Sequence, residues 1–102
     1  MTRPVQWSRA ALDDLKGQIA HIAKDDPGAV RAVADRIRDG CTALGRVPTG
    51  RPGRVAGTYE KSIARLPYVV AYAITETLDG EVITVLRVIH TARDWPSGAW
   101  PT

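Results

Sequence analysis

Length, composition and charge describe a small folded protein and exclude several classes. The 102 residues suffice for one domain spanning residues 1–102, since single cores typically need about 100–150 residues. With 44% hydrophobic and 25% charged residues, the composition is typical of soluble folded proteins. Apolar runs such as Val69–Ile74 are far too short to span a membrane, and the N-terminus lacks the basic-then-apolar pattern of an export signal. We therefore expect a cytoplasmic protein.

The only cysteine, Cys41, excludes an intrachain disulfide bond and lies at a helical spacing typical of core residues. The two histidines, His21 and His90, fall on different predicted elements, with no cysteine pair to complete a zinc site. We expect neither a metal ion nor a cofactor.

The charge of the chain is unevenly distributed. The net charge is +3 and the pI is about 9.4, yet six of the 11 acidic residues precede Gly40. The run from Arg46 to Arg65 contains five basic residues and only one acidic residue, Glu60. This pattern predicts a basic surface for an acidic partner, either a protein or a nucleic acid. A mildly basic surface without a specific partner is the alternative interpretation.

The first half of the chain predicts one strand and two helices. Pro4–Trp7 is a short strand, and Ser8 follows with a hydroxyl suited to cap a helix. Apolar residues then recur at spacings of three and four until Asp26, where Pro27 stops the helix. Pro27 begins a second helix that Asp26 caps and Gly45 ends. The short connection predicts an antiparallel helical hairpin.

The second half predicts a loop followed by strands. Arg46–Gly57 is too rich in proline and glycine to form regular structure. Asp79-Gly80 predicts a type I′ turn between two strands, because both residues tolerate positive φ. The predicted strands are Tyr59–Leu66, Tyr68–Thr75 and Val82–His90, with a turn or a fourth strand at Ala92–Trp95.

This order of elements predicts a two-layer α+β fold. An N-terminal strand and a helical hairpin precede a three- to four-stranded antiparallel sheet, so the helices gather on one face of the sheet. The last two strands are apolar at odd and even positions alike, and the helices can cover only one of their two faces. The remaining apolar face predicts a partner protein, which could add a helix to a groove or a strand to a sheet edge.

Polar residues at the end of the last strand suggest catalysis. His90 near Arg87 and Arg93 could cleave RNA by acid–base chemistry, with the arginines stabilising a charged phosphorane. On a regular strand, however, Arg87 and His90 lie on opposite faces, which argues against a catalytic pair. A histidine that ends a strand and bonds to the following loop is the alternative.

Several segments resemble one protein family. PYVVAY (Pro67–Tyr72) and VLRVIHTARDWP (Val85–Pro96) resemble the C-terminal half of the RelE/ParE superfamily of small bacterial toxins. GRPGRVAGTYE (Gly50–Glu60) resembles the preceding tract of the ParE-like branch, and VQWSRAALDDL (Val5–Leu15) resembles the opening strand and helix. The resemblance covers nearly the whole chain. It implies the RelE/ParE toxin fold and the toxin component of a type II toxin–antitoxin system, of the plasmid stabilisation type.

The resemblance also bears on mechanism. RNA-cleaving RelE-type toxins carry a lysine-rich strand before the hairpin and an arginine after the tyrosine that opens the next strand. Glu60, Ser62 and Val69 stand at those positions here, and Val69 cannot bind phosphate. The ParE-like branch shares this apolar run and inhibits DNA gyrase by binding, so no catalytic residue is favoured.

Two other functions stay open. A ribosome-dependent mRNA endonuclease of RelE type would use Arg87, His90 and Arg93. A non-toxic protein that serves only in antitoxin-mediated operon repression is the second alternative. Whether the chain is an enzyme is therefore uncertain, and the sequence leans against it.

The partners implied by the resemblance are a cognate antitoxin and DNA gyrase, or alternatively a ribosome with mRNA. A membrane and a small-molecule substrate are not expected. Arginine binds carboxylates and phosphates equally well, and arginines and tryptophans anchor many interfaces, so basic residues and Trp95 are the candidates for target binding. The full candidate set is Arg51, Arg54, Lys61, Arg65, Arg87, His90, Arg93, Asp94 and Trp95.

Overall fold

Two helices pack on a five-stranded sheet in the computed structural model, which describes residues 2–91. This arrangement confirms the predicted two-layer α+β fold. No helix in the described range is long and apolar enough to cross a membrane. The elements are β1 (Val5–Trp7), α1 (Arg9–Asp25), α2 (Val30–Arg46), β2 (Arg51–Pro52), β3 (Tyr59–Ser62), β4 (Tyr68–Thr77) and β5 (Gly80–His90).

The boundaries of α1 agree with the sequence prediction. The Ser8 hydroxyl accepts a hydrogen bond from the Ala11 N–H at 3.0 Å, which satisfies a donor of the first helical turn. The helix ends at Asp25, before Pro27. Local chemistry is therefore sufficient to define this helix.

The two ends of the second helix differ in detail from the prediction, since α2 runs from Val30 to Arg46. Pro27–Ala29 forms a separate 3₁₀ turn, and the Asp26 side chain makes no capping hydrogen bond. Gly45 lies inside α2, where its carbonyl accepts a hydrogen bond from the Arg3 N–H at 2.7 Å. This glycine lets β1 approach the helix instead of ending it.

The sheet has more strands than the sequence predicted. Its order is β1-β5-β4-β3-β2, with β1 parallel to β5 and the other pairs antiparallel. The prediction missed β2, because Arg51–Pro52 lies in a segment rich in proline and glycine. It also did not place β1 beside β5, since pairing between the two ends of a chain leaves no local sequence signal.

Two turns differ from their predictions. β3 ends at Ser62, not Leu66, because Arg65 adopts a φ of 65° in the turn that follows. Between β4 and β5, Thr77 pairs with Gly80, and Gly80 carries the positive φ of 116°. Asp79 has no positive φ, so the predicted type I′ turn is wrong. The predicted turn or strand at Ala92–Trp95 lies outside the described residues.

A β-bulge reverses the faces of β5 near its end. Ala71 pairs with Arg87 while Tyr72 pairs with Val85, which leaves Leu86 as the extra residue.

The main core between helices and sheet contains residues from both layers. Its fully buried members include Ile37, Cys41, Leu44, Val70, Tyr72, Ile83, Val85 and Val88.

The sheet also has an apolar face turned away from the helices, here called the back face, as the sequence predicted. Ala71 and Ile89 form a second buried cluster, separate from the main core. Val55, in the loop between β2 and β3, packs against both. This internal cover was not predicted, because nothing in the loop sequence indicates that it folds back over the sheet.

Candidate target-binding surface

A row of paired residues crosses the back face over four strands. Arg51 pairs with Glu60, Glu60 with Ala71, and Ala71 with Arg87. Directly paired residues point to the same face, and neighbouring strands lie about 4.8 Å apart, so the two arginine backbones are about 14 Å apart. The buried Glu60 and Ala71 lie between them, and the buried Ile89 follows Arg87 on the same strand. Two basic residues thus lie at the two ends of a row whose centre is buried.

One end of this row is organised by a buried carboxylate. Glu60 is 4% exposed, and it accepts hydrogen bonds from the Arg54 backbone N–H at 2.9 Å and from the Arg51 guanidinium at 3.5 Å. The Arg51 side chain nevertheless stays 67% exposed. The loop closes on itself through a 2.8 Å hydrogen bond from the Gly53 N–H to the Thr58 carbonyl. Arg51 and Arg54 therefore form a fixed basic corner of the sheet.

The other end of the row is bound to α1. The Arg87 guanidinium donates two hydrogen bonds to the Asp14 carboxylate, at 2.7 and 3.0 Å. The Val88 N–H donates a third to Asp14 at 2.9 Å. β1 has ended at this point, so Asp14 accepts the hydrogen bond from Val88 that a neighbouring strand would otherwise accept. Its negative charge also compensates the charge of Arg87.

Lys61 and Arg65 lie away from the row. Lys61 pairs with the core residue Val70, so it points toward the helices, and its ammonium donates to the Thr49 hydroxyl at 2.6 Å. It lines a cleft of about 270 Å³ between α2 and β3, together with Arg36. Arg65 is exposed in the turn after β3. The candidate residues therefore do not form a single patch.

His90 lies on the face opposite Arg87. Its ring packs edge-on against Tyr68, with centroids 5.4 Å apart, and Tyr68 belongs to the main core. Both residues follow the bulge, so the alternation between them is regular and the predicted separation of Arg87 from His90 holds. The remaining candidates, Arg93, Asp94 and Trp95, lie outside the described residues.

Sequence reasoning missed the carboxylates that position the arginines. Asp14 lies 73 residues before Arg87 in the chain, and no local pattern connects them. The sequence marked Glu60 only as the one acidic residue of a basic run and as a residue that stands where RelE-type toxins carry lysine. Its burial beside Arg51 becomes visible only with the pairing of β2 and β3.

Two titratable groups of the core have raised pKa values. Burial raises the pKa of the Cys41 thiol to about 12, so it stays protonated at neutral pH. Burial raises the pKa of Tyr72, and the nearby Tyr59 raises it further. The Tyr72 hydroxyl donates a hydrogen bond to the Thr49 carbonyl at 2.6 Å. Among residues 2–91, no three His, Cys, Asp or Glu side chains gather as a metal site would require.

Known proteins resemble this chain in sequence and fold. The family model of the ParE toxin of type II toxin–antitoxin systems, parDE, matches residues 5–95. "Putative toxin Y4kP" of Sinorhizobium fredii is 39% identical over 93 residues, which cover 90% of this chain and 92% of that protein.

Solved structures share this fold. A chain of the chromosomal ParDE TA system from P. aeruginosa has a TM-score of 0.76 at 23% identity, covering 85% of this chain and 94% of its own. A chain of the RelBE2 toxin–antitoxin complex from Mycobacterium tuberculosis has a TM-score of 0.59 at 26% identity, covering 88% and 92%. As its sequence resemblance predicted, the chain belongs to the ParE toxin family of type II toxin–antitoxin systems.

Proposed function

We propose that this toxin inhibits DNA gyrase by binding and breaks no covalent bond. The observation that supports this proposal is the separation of Arg87 from His90. The two side chains leave β5 on opposite faces: the Arg87 guanidinium is bound by Asp14 of α1, whereas the His90 ring packs against Tyr68 of the main core. Acid–base cleavage of RNA would require the imidazole and the guanidinium to reach one phosphate together.

Recruiting Arg87 for catalysis would also disrupt the fold locally. Its guanidinium would have to leave a half-buried carboxylate, whose other hydrogen bond comes from the Val88 N–H. Hydrogen bonds to charged groups each contribute about 1.5–3 kcal/mol, so this movement is costly. Arg87 is better suited to hold α1 against the sheet than to act on a substrate.

The basic corner is the part of the back face best suited to contact the target. Arg51 keeps two thirds of its side chain exposed while Glu60 fixes its direction. Val55, half-buried in the adjacent loop, adds apolar surface beside it. A planar guanidinium next to an apolar residue is the composition of many interface hot spots, and it suits an acidic protein surface.

The same proposal includes a cognate antitoxin and a cytoplasmic location. The family match and the ParDE and RelBE2 relatives, which come from toxin–antitoxin systems, support an antitoxin partner. On the back face, Ala73 and Val82 remain only partly buried, so apolar surface is available to a partner. An antitoxin that covers this surface would stabilise the toxin and block its target contacts.

Two parallel assays with the purified toxin test the target. One measures supercoiling by gyrase, and the other measures cleavage of ribosome-bound message. We expect loss of supercoiling with the message intact. Cleavage with normal supercoiling would establish the ribosome-dependent endonuclease instead. Activity in neither assay would favour a non-toxic protein that serves in operon repression.

A charge-matched pair of variants tests the basic corner. Arg51→Gln should raise the toxin concentration for half-maximal gyrase inhibition by roughly tenfold, because it removes an exposed guanidinium from the contact. Arg31→Gln removes the same charge from α2, where the side chain is 94% exposed, and should change inhibition less than about twofold. Equal effects of the two variants would show that net charge, and not the corner, determines inhibition.

A further inference from the structure

The strand β4 continues beyond the end of its neighbour β3. β3 pairs with β4 only from Val69 to Tyr72, whereas β4 extends to Thr77. Within residues 2–91, no strand pairs with the outer side of Ala73–Thr77. The residues at the end of this segment, from Thr75 onward, are exposed. The sheet therefore has a second, internal edge beside the β4–β5 hairpin.

The register shows which backbone groups point to this edge. The Ile63 N–H donates to the Tyr68 carbonyl at 3.0 Å, so even-numbered residues of β4 direct their backbone groups toward β3. Backbone directions alternate along a strand, and the bulge lies in β5, so the pattern continues through β4. Ile74 and Glu76 thus present their N–H and C=O groups to the edge, which is the requirement for strand addition.

The charge beside this edge selects the kind of segment that fits. Glu76 lies directly opposite Glu81 in the hairpin, and like charges in that arrangement destabilise a sheet. Arg3 forms a 2.6 Å ion pair with Glu81, while Asp79 adds a further negative charge at the turn. The hairpin is therefore acidic in a protein of net charge +3. A cation placed beside Glu76 would relieve the repulsion.

We propose that this β4 edge binds an extended basic segment of a partner protein by antiparallel strand addition. The residue opposite Glu76 would come first in the segment, and the residue opposite Ile74 would follow two positions later on the same face. Lysine or arginine suits the first position and an apolar residue the second, which gives the motif Lys/Arg-x-apolar. Tyr59 (37% exposed) and Leu78 (fully exposed) offer apolar contacts at the two ends of the site. This proposal does not depend on gyrase being the target.

A synthetic peptide tests the site on the full chain. The probe is acetyl-Thr-Thr-Lys-Thr-Val-Thr-Thr-amide, titrated into the labelled protein while amide chemical shifts are followed by NMR. The largest changes are expected at Ile74 and Glu76. Replacing the peptide lysine by glutamate, or methylating the backbone nitrogens of its lysine and valine, should weaken binding by roughly tenfold. Equal affinity of the three peptides, no binding, or shifts centred elsewhere would overturn the proposal.

A charge-reversed variant gives an independent test. Glu76→Lys should bind the glutamate peptide better than the lysine peptide, the opposite of the unmodified chain. The control is Asp13→Lys, which makes the same charge change at an exposed position of α1. If Asp13→Lys shifts the preference as much as Glu76→Lys, long-range charge explains the effect and the site is wrong. Circular dichroism of both variants establishes that each is folded.

Discussion

Two carboxylates set the positions of the arginines on the back face. Asp14 holds Arg87 and the Val88 N–H, and Glu60 holds Arg51 and the Arg54 N–H. Each carboxylate satisfies a backbone donor that secondary structure leaves unpaired, and each compensates a guanidinium. The arginines are therefore part of the fold as well as candidates for binding.

Removing Asp14 should destabilise the protein. Asp14→Ala abolishes three hydrogen bonds and leaves a backbone donor and a half-buried guanidinium without that acceptor. We expect a loss of roughly 2–3 kcal/mol in the free energy of unfolding, measured by urea denaturation. The control Asp13→Ala changes the exposed neighbour and should stay within about 0.5 kcal/mol. Similar losses for both would contradict the structural role of Asp14.

At the scale of elements, local signals predicted both ends of α1, whereas contacts between elements determined several boundaries that the sequence did not predict. Ser8 and Pro27 define the ends of α1 because capping and proline geometry act within one turn. Gly45 misled the prediction, since a glycine near a helix end usually indicates termination. Here it permits close packing on β1, a contact that involves residues more than forty positions away.

Two glycine substitutions in helices should have opposite effects. Alanine normally stabilises a helix interior by up to about 1 kcal/mol relative to glycine. A Cβ at Gly17 of α1 would meet nothing within 4 Å, so Gly17→Ala should be stabilising. A Cβ at Gly45 would lie 2.5 Å from the Arg3 carbonyl oxygen, so Gly45→Ala should cost roughly 1–3 kcal/mol despite its better helix propensity. Thermal denaturation measures whether each variant is more or less stable than the unmodified chain. Stabilisation by Gly45→Ala would contradict this packing.

At the scale of the whole molecule, the fold joins the two ends of the described chain. β1 pairs in parallel with β5, and Trp7 lies beside Val85 at the edge of the main core. The order of elements could be predicted from sequence, because each element has its own periodicity. The parallel pairing and the division of the basic residues between two faces could not, because both depend on how distant segments meet.

Because β1 connects both layers, damage to it should weaken the whole structure and not only one edge. Trp7→Ala removes a half-buried side chain packed on the core and should cost roughly 2–3 kcal/mol. Gln6→Ala, on the opposite face of the same strand, loses only an exposed hydrogen bond to Thr84 and should cost less than about 1 kcal/mol.

Thiol labelling of Cys41 detects whether the loss is global. Burial holds the Cys41 pKa near 12 in the folded chain against 9.0 in an exposed thiol, so at about pH 8.5 only unfolded molecules react readily. Trp7→Ala should therefore accelerate labelling by about the factor by which it raises the unfolded population, and Gln6→Ala should accelerate it far less. The same pKa difference implies that the thiol's contribution to stability falls as pH rises from 9.0 toward 12, because the unfolded state loses its proton first. If Trp7→Ala lowers the denaturation midpoint but does not accelerate Cys41 labelling, β1 unfolds separately from the main core.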